Sequence, residues 1–389
     1  MIYPKIAVSK PMGELWRISN IGASATYRLE LSEDKGRYPM LMQLISVDGI
    51  SIHVPAGTSQ PDIVKLGGAR VTVVPCPGTV PPGAAQPVCV KDLVMLPGAR
   101  TEVWVTYRSR TGEIVPPPRG ASATLRSTGI TTGDPGVGDP WPAVNLAPVT
   151  FKNTYTKKSL VALALAGDAL AANQPQGIFF EPVPYAQPAA TPSGCEALAP
   201  GHHRRIFFGL VDTDNPNIFG LGYEEVDEHG VVVPSSKMPI TAFSPMNNFI
   251  CLPLGPGQTP VHEAWELVNL ATENHNFHIH QTKFRTVDPA APDGTPMSPK
   301  LDPAVGAGVM EDMATLPLAE PVPGVAQQVM TNQNGYCTID QWRSNECRTV
   351  PTVVDIPFAE LGAFVYHCHI LEHEDAGMMA KIQVVAAPE

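Results

Sequence analysis

His367-Cys368-His369-Ile370-Leu371-Glu372-His373-Glu374-Asp375-Ala376-Gly377-Met378 places three histidines, one cysteine and one methionine in a single short stretch near the C-terminus. Val365-Tyr366 lead into it, and a second cluster, His275-Asn276-Phe277-His278-Ile279-His280, lies upstream with Phe284 just beyond. The two clusters hold six of the eleven histidines. The β-forming neighbours predict that both are strand segments. In a strand, residues two apart share a face. His278 and His280 then point one way and His275 the other, while His367 and His369 point opposite to Cys368. If the two strands are neighbours, His275 and Cys368 converge on one side and the other four histidines on the reverse side. His373 and Met378 fall in the loop or short helix that follows, within reach of Cys368.

Two imidazoles, one thiolate and a long thioether suit a blue-copper electron-transfer site. A structural zinc site, or core histidines beside a free cysteine, is the alternative for a lone His-x-His. It explains the paired geometry of both clusters poorly.

These residues resemble the two C-terminal motifs of the multicopper oxidases, especially the bacterial laccase-like and bilirubin-oxidase-like members, H-x-x-H-x-H and H-C-H-x-x-x-H-x-x-x-x-M. The resemblance implies that His275, Cys368, His373 and Met378 hold a type 1 copper, with Met378 axial. It implies that His278 binds a type 2 copper and that His280, His367 and His369 bind a type 3 pair. Glu374 matches the family position that feeds protons towards bound oxygen. Dioxygen and a small reducing substrate are the implied partners.

A complete trinuclear cluster in that family uses eight histidines, four of them from two His-x-His pairs in an N-terminal domain. Before residue 270 this chain has His53, His202, His203, His229 and His262, and none forms such a pair. The opening segments Ile6-Ala7-Val8, Gly13 to Asn20 and Thr26 to Leu31 resemble the start of the middle domain of three-domain members. Trp16 and Asn20 are echoed by Trp265 and Asn269, which suggests two copies of one fold. The expectation is a chain equivalent to the second and third cupredoxin domains, with an N-terminal domain or a second chain completing the trinuclear site.

The chain is long enough, at 389 residues, for two or three domains, and its 42 prolines and 33 glycines favour short strands and turns over long helices. An all-β architecture of two cupredoxin-like Greek-key β-barrel domains follows. Residues 1–165 read as a domain without copper ligands, 166–200 as an Ala/Pro-rich linker, and 201–389 as the copper-bearing domain. Strands are expected over Arg70–Pro75, Thr101–Tyr107, Leu160–Leu165 and Arg205–Leu210. Pro116 to Pro142 reads as a long surface excursion whose Trp141 docks. Residues 288–350 read as an insertion rimming the type 1 side, and its Met297, Met310, Met313 and Met330 as packing residues.

A net charge of −11 argues against nucleic-acid binding, and no apolar run is long enough to span a bilayer. With Cys368 assigned to copper, six of seven cysteines remain. Cys76 with Cys89 and Cys337 with Cys347 flank loops and are expected disulfides, with Cys195 and Cys251 a third pair; reduced, buried cysteines are the alternative. Disulfides imply a secreted or periplasmic setting, although Met1 to Lys5 does not read as a secretory leader.

Two functions of different classes follow. One is a laccase-like oxidase that takes electrons from a phenolic, amine, bilin or metal-ion substrate and reduces dioxygen to water. The other is a type 1 copper electron-transfer module without oxidase activity of its own. A copper nitrite reductase fits less well, because its single catalytic copper has no use for both histidines flanking Cys368.

Overall fold

The computed structural model describes residues 4–10, 13–52, 54, 71–78, 86–132, 139–152, 195–212, 215, 217–244, 249–287, 310–321 and 336–387. The chain divides into two compact units, one of Met1–Ile130 with Pro140–Tyr185, the other of Thr131–Asp139 with Ala186–Glu389. Both are built of strands, as the composition predicts. Among the described residues, no helix is long and apolar enough to cross a membrane.

In the first unit, eight strands run side by side in the order Ile6–Val8, Val144–Phe151, Ser122–Ser127, Tyr27–Glu33, Val88–Met95, Met42–Val47, Arg100–Val105 and Glu14–Ser19. Sequence neighbours are repeatedly separated by other strands, the mark of Greek-key connection. Alternation is plain in Arg100–Val105, where Thr101, Val103 and Val105 are buried and the residues between them less so. The strand Val71–Pro75 pairs with Val88–Met95, and Cys76 is joined to Cys89 by a disulfide.

The stretch from Pro116 to Pro142 departs from expectation. Ser122–Ser127 is a strand paired on both sides, with Tyr27–Glu33 and with Val144–Phe151. Small residues suit the position, since Ala121 and Ala123 are both buried. The Pro and Gly residues only flank this strand, and Trp141 is half-buried in the short strand Pro140–Trp141. The expected strand Leu160–Leu165, most of the linker, His53, Met297 and Met330 lie outside the described residues.

The second unit packs two sheets face to face. One has the order Met238–Thr241, Phe219–Val226, His203–Leu210, Val261–Asn269, Thr352–Phe358, Phe284–Val287 and Met310–Glu311. The other has the order Phe249–Pro253, Met379–Val385, Gly362–His367, His275–Ile279 and Met313–Leu316. Between them lies one apolar core containing Phe208, Trp265, Leu267, Phe277, Ile279, Val354, Phe364 and Tyr366. Trp265 is fully buried, meets Tyr366 edge to face at 5.1 Å and donates its indole N–H to Glu263 at 2.9 Å. Burial of a large apolar side chain of this kind is worth about 1.5–3 kcal/mol.

The echo between Trp16/Asn20 and Trp265/Asn269 has a shared physical basis in the asparagines. Asn20 Nδ2 donates to the carbonyls of Ala25 and Met95, and its Oδ1 accepts from Gly22 N–H. Asn269 Nδ2 donates to the carbonyls of Glu273 and Leu316, and its Oδ1 accepts from Ala271 N–H. Each side chain ties off the turn that follows its strand, in one unit and then the other.

The insertion after residue 288 does more than rim a site. Its described part returns as the edge strand Met313–Leu316, which pairs with His275–Ile279 in the register His275 to Leu316 and His278 to Met313. Met313 is fully buried, in keeping with a packing role.

Candidate metal centre

His275–Ile279 and Gly362–His367 are antiparallel neighbours, with His278 opposite His367 and Ile279 opposite Tyr366. Alternation sets the faces. His275, Phe277 and Ile279 turn to the inner side of their sheet, as do Phe364, Tyr366 and Cys368 in the facing segment. His278, His280, His367 and His369 gather on the reverse side. The strand ends at His367, so Cys368 and His369 lie just beyond the ladder. Cys368 N–H donates to Met378 O at 3.1 Å, which folds the downstream segment back over the sulfur.

On the inner side, one ring nitrogen each of His275 and His373 lies with Cys368 Sγ in a group whose donor atoms are all within 4.8 Å of one another. His373 Nδ1 is 3.8 Å from the sulfur. The short helix Leu371–Asp375 carries His373 there. Met378 is fully buried in the same core cluster as Cys368. Met378 N–H donates to His373 O at 2.9 Å, so histidine and methionine are held as one turn. Gly377, with φ +111°, permits that turn.

Burial governs the protonation states. It pushes the Cys368 thiol up to about 12, although the N–H groups of Asn276 and Ile370 directed at the sulfur pull the other way. Burial, aided by His373, holds His275 well below its ordinary value, and burial lowers His373 to about 4. All three groups are therefore neutral near pH 7. A buried thiol beside two neutral imidazoles is stabilised as thiolate by a cation placed among them. His275 Nδ1 is buried and has no hydrogen-bond partner. Copper, the cofactor expected from the sequence, fits this donor set.

On the outer side, His278, His280 and His367 form a second group with donor nitrogens within 4.8 Å. His280 Nε2 and His367 Nε2 are 3.2 Å apart. The His369 ring centre lies 5.3 Å from those of both His278 and His367. Burial lowers His278 to about 3 and His367 to about 4, and lowers His280 as well. His278 Nδ1 is 2.8 Å from Asp312 O, which fixes the tautomer that leaves Nε2 bare. His367 Nδ1 is 3.0 Å from Cys368 O and 3.2 Å from a Glu374 carboxylate oxygen. Burial raises Glu374 above its ordinary value. The face is partly open: His280 is exposed, and His278 and His369 are half-buried.

The remaining described histidines lie in neither group. His202 and His203 pair with Glu225 at 2.5 Å and Glu266 at 3.3 Å. His262 is 3.0 Å from Asp355, and exposed His229 is 3.5 Å from Glu228. Three side chains at the site carry no clear mark in the sequence. Phe219 stacks on His373 with ring centres 4.3 Å apart. Tyr336 Oη lies 3.2 Å from His275 Nε2. Asp312 sits beside His278 and forms an ion pair with Lys283. The one available signal is that Tyr336 precedes Cys337 of an expected disulfide. All three expected disulfides form, Cys76–Cys89, Cys195–Cys251 and Cys337–Cys347.

Comparison with known proteins agrees with the motifs. Residues 349–388 match the multicopper oxidase family model. The chain is 26% identical over 141 residues to the multicopper oxidase LPR1 of Arabidopsis thaliana, an alignment covering 32% of this chain and 22% of that protein. It is 30% identical over 124 residues to a laccase of Bacillus stratosphericus, covering 32% of this chain and 20% of that one. The chain thus spans about a fifth of the length of these curated relatives. Among solved structures, a multicopper oxidase from Campylobacter jejuni, described as a metallo-oxidase, aligns with a TM-score of 0.49 at 16% identity, covering 98% of this chain and 55% of that one.

Proposed function

We propose that this chain, which resembles the bacterial laccase-like multicopper oxidases, is the part of a copper oxidase that carries the substrate-side copper and half of the oxygen-reducing cluster. In this reading residues 201–389 are the copper-bearing domain and the first unit is its ligand-free counterpart. His275, Cys368, His373 and Met378 hold a type 1 copper. His278 holds a type 2 copper, and His280, His367 and His369 hold a type 3 pair. Bound copper supplies one-electron redox chemistry on one face and, once the cluster is complete, four-electron reduction of dioxygen to water on the other. The single observation that carries the proposal is the sorting of donors by strand alternation onto two sides of one backbone segment.

The chain's own groups have defined tasks. Cys368 is joined through one peptide bond to His367 and through another to His369, a short covalent route between the two sides. The contact between His367 Nδ1 and Cys368 O closes a loop on that route. Asp312 O and Cys368 O orient His278 and His367. Glu374, its carboxyl raised above the ordinary value by burial and next to His367, is placed to relay protons towards oxygen. Reducing substrates are phenols, aromatic amines, bilins or reduced metal ions. The other four cluster histidines come from an N-terminal domain or a second chain. Three disulfides suit an extracytoplasmic setting.

A second reading is an electron-transfer module, favoured by the contrast between a buried inner group with a full type 1 donor set and a partly open outer face. Copper titration followed by visible absorption and oxygen uptake separates the two. The proposal expects an intense sulfur-to-copper band that Cys368→Ser abolishes. It expects oxygen consumption only when a polypeptide with two His-x-His pairs is added. No band in the unsubstituted chain would overturn both readings. A band with no oxygen consumption in that completed assembly would leave the module.

A further inference from the structure

His275 has two nitrogens in very different circumstances. Nδ1 is buried without a hydrogen-bond partner, while Nε2 lies 3.2 Å from the Tyr336 hydroxyl. We propose that Tyr336 is a positioning residue for the metal site at Cys368: its Oη accepts the Nε2–H of His275 and so fixes the tautomer that leaves Nδ1 bare for the metal. The consequence for copper rests on the reading of the inner group as a type 1 site; the hydrogen bond itself does not.

The tyrosine is held from several directions at once. It forms an isolated antiparallel bridge with Ala271, in the turn that leads into His275–Ile279. The next residue, Cys337, donates its N–H to Leu270 O at 2.7 Å and is bonded to Cys347. Between those cysteines the helix Ile339–Arg343 starts with a capping box made by Thr338 and Gln341. It ends with Arg343 paired to the buried Glu224. Trp342 meets Phe207 edge on at 5.5 Å. The hydroxyl is therefore set by a disulfide-closed knot tied to the same turn that positions the imidazole. The Tyr336 ring also meets Phe219 edge to face at 6.0 Å, and Phe219 covers His373. One aromatic pair thus packs against both imidazoles of the site.

A hydrogen bond accepted from the far nitrogen makes an imidazole a more basic ligand and favours the more highly charged metal. Without it, the cupric form is disfavoured relative to the cuprous. Tyr336→Phe keeps the ring packing and removes only the hydroxyl. It is expected to move the copper equilibrium about tenfold towards cuprous, which is about 59 mV upward for a one-electron couple.

The test has two arms. In the metal-free chain with 15N-labelled histidine, His275 is expected to be protonated at Nε2, with that proton protected from exchange. Tyr336→Phe should lose the protection. In the copper-loaded chain, Tyr336→Phe should retain the sulfur-to-copper band and raise the potential. Trp342→Phe, a conservative change that keeps an aromatic ring against Phe207 and the Tyr336 hydroxyl in place, should leave tautomer and potential unchanged. An Nδ1-protonated His275, an unaltered potential in Tyr336→Phe, or an equal shift in Trp342→Phe would each overturn the proposal. If the expected tautomer is seen but no band forms, the copper reading fails and the hydrogen bond stands.

Discussion

Loading the inner site with cupric ion should release about one proton per ion, and the count should stay level from about pH 6 to pH 9. The number follows from the environment of each donor. With the thiol pushed up to about 12, Cys368 is protonated throughout that range and must give up its proton to bind. His373, lowered to about 4, is only about 1% protonated at pH 6. His275 is held well below its ordinary value and contributes little. Two imidazoles with ordinary values near 6.5 would each be about three-quarters protonated at pH 6, bringing the total to about 2.5. The two pictures thus differ by about 1.5 protons, well within calorimetric reach. The measurement is titration calorimetry in buffers of differing ionisation enthalpy, in a His278→Ala/His280→Ala background so that the outer group does not compete. The logarithm of the affinity should rise by about one per pH unit. A release of two or more protons at pH 6 would refute the argument that burial keeps the imidazoles neutral. A count falling towards zero by pH 9 would refute the raised thiol.

Three further outcomes are expected. Glu263→Ala removes the carboxylate that receives Arg204 at 2.8 and 2.9 Å, with side chains only 8% and 1% exposed for Arg204 and Glu263. It should cost about 3–5 kcal/mol, a fall in melting temperature on the order of 10 °C; a fall under about 2 °C would contradict a buried pair. Glu273 is raised to about 7 by burial, then by Asp139 and Glu372. Its folded value exceeds its unfolded one, so its contribution is complete below about pH 4.5 and is lost as pH rises through about 7. Relative to the parent, Glu273→Gln should therefore gain about 1–3 kcal/mol between about pH 4 and pH 8, read by denaturant unfolding of the metal-free chain; a pH-independent difference would sink the assignment. Gly377→Ala places a Cβ 2.8 Å from Ala242 Cβ and from Phe219 O at a φ of +111°. It should cost about 2–3 kcal/mol and shift the sulfur-to-copper band through Met378, and an unchanged spectrum would separate the turn from the ligand.

The sorting of the histidines and Cys368 onto two sides was legible in the sequence because strand alternation is a local rule. His275, His278 and His280 need only extended chain to sort themselves, and Cys368 needs only its neighbours His367 and His369. The Asn20 and Asn269 turns were half legible for a related reason, since each side chain bonds a backbone group shortly ahead of it in sequence. What depended on distant partners was hidden. Ser122–Ser127 sits among prolines and glycines, and only its neighbours Tyr27–Glu33 and Val144–Phe151 make it an interior strand. Met313–Leu316 becomes an edge strand because His275–Ile279 has a side to pair with. Phe219 and Tyr336 are single aromatics far in sequence from the histidines they touch, and apart from the place of Tyr336 before Cys337 nothing local distinguishes them from core residues.

Because Cys368 is flanked directly by His367 and His369, no backbone shift can move the sulfur without moving donors on the other face. The contact of His367 Nδ1 with Cys368 O stiffens that linkage, and Cys368 N–H is held by Met378 O. The inner group is also closed by rings, Phe219 on His373 and Tyr336 on His275. Tuning by evolution is therefore expected to fall on those rings and on the Cys337–Cys347 knot, which touch one side alone. Changes in the strand Gly362–His367 would disturb both.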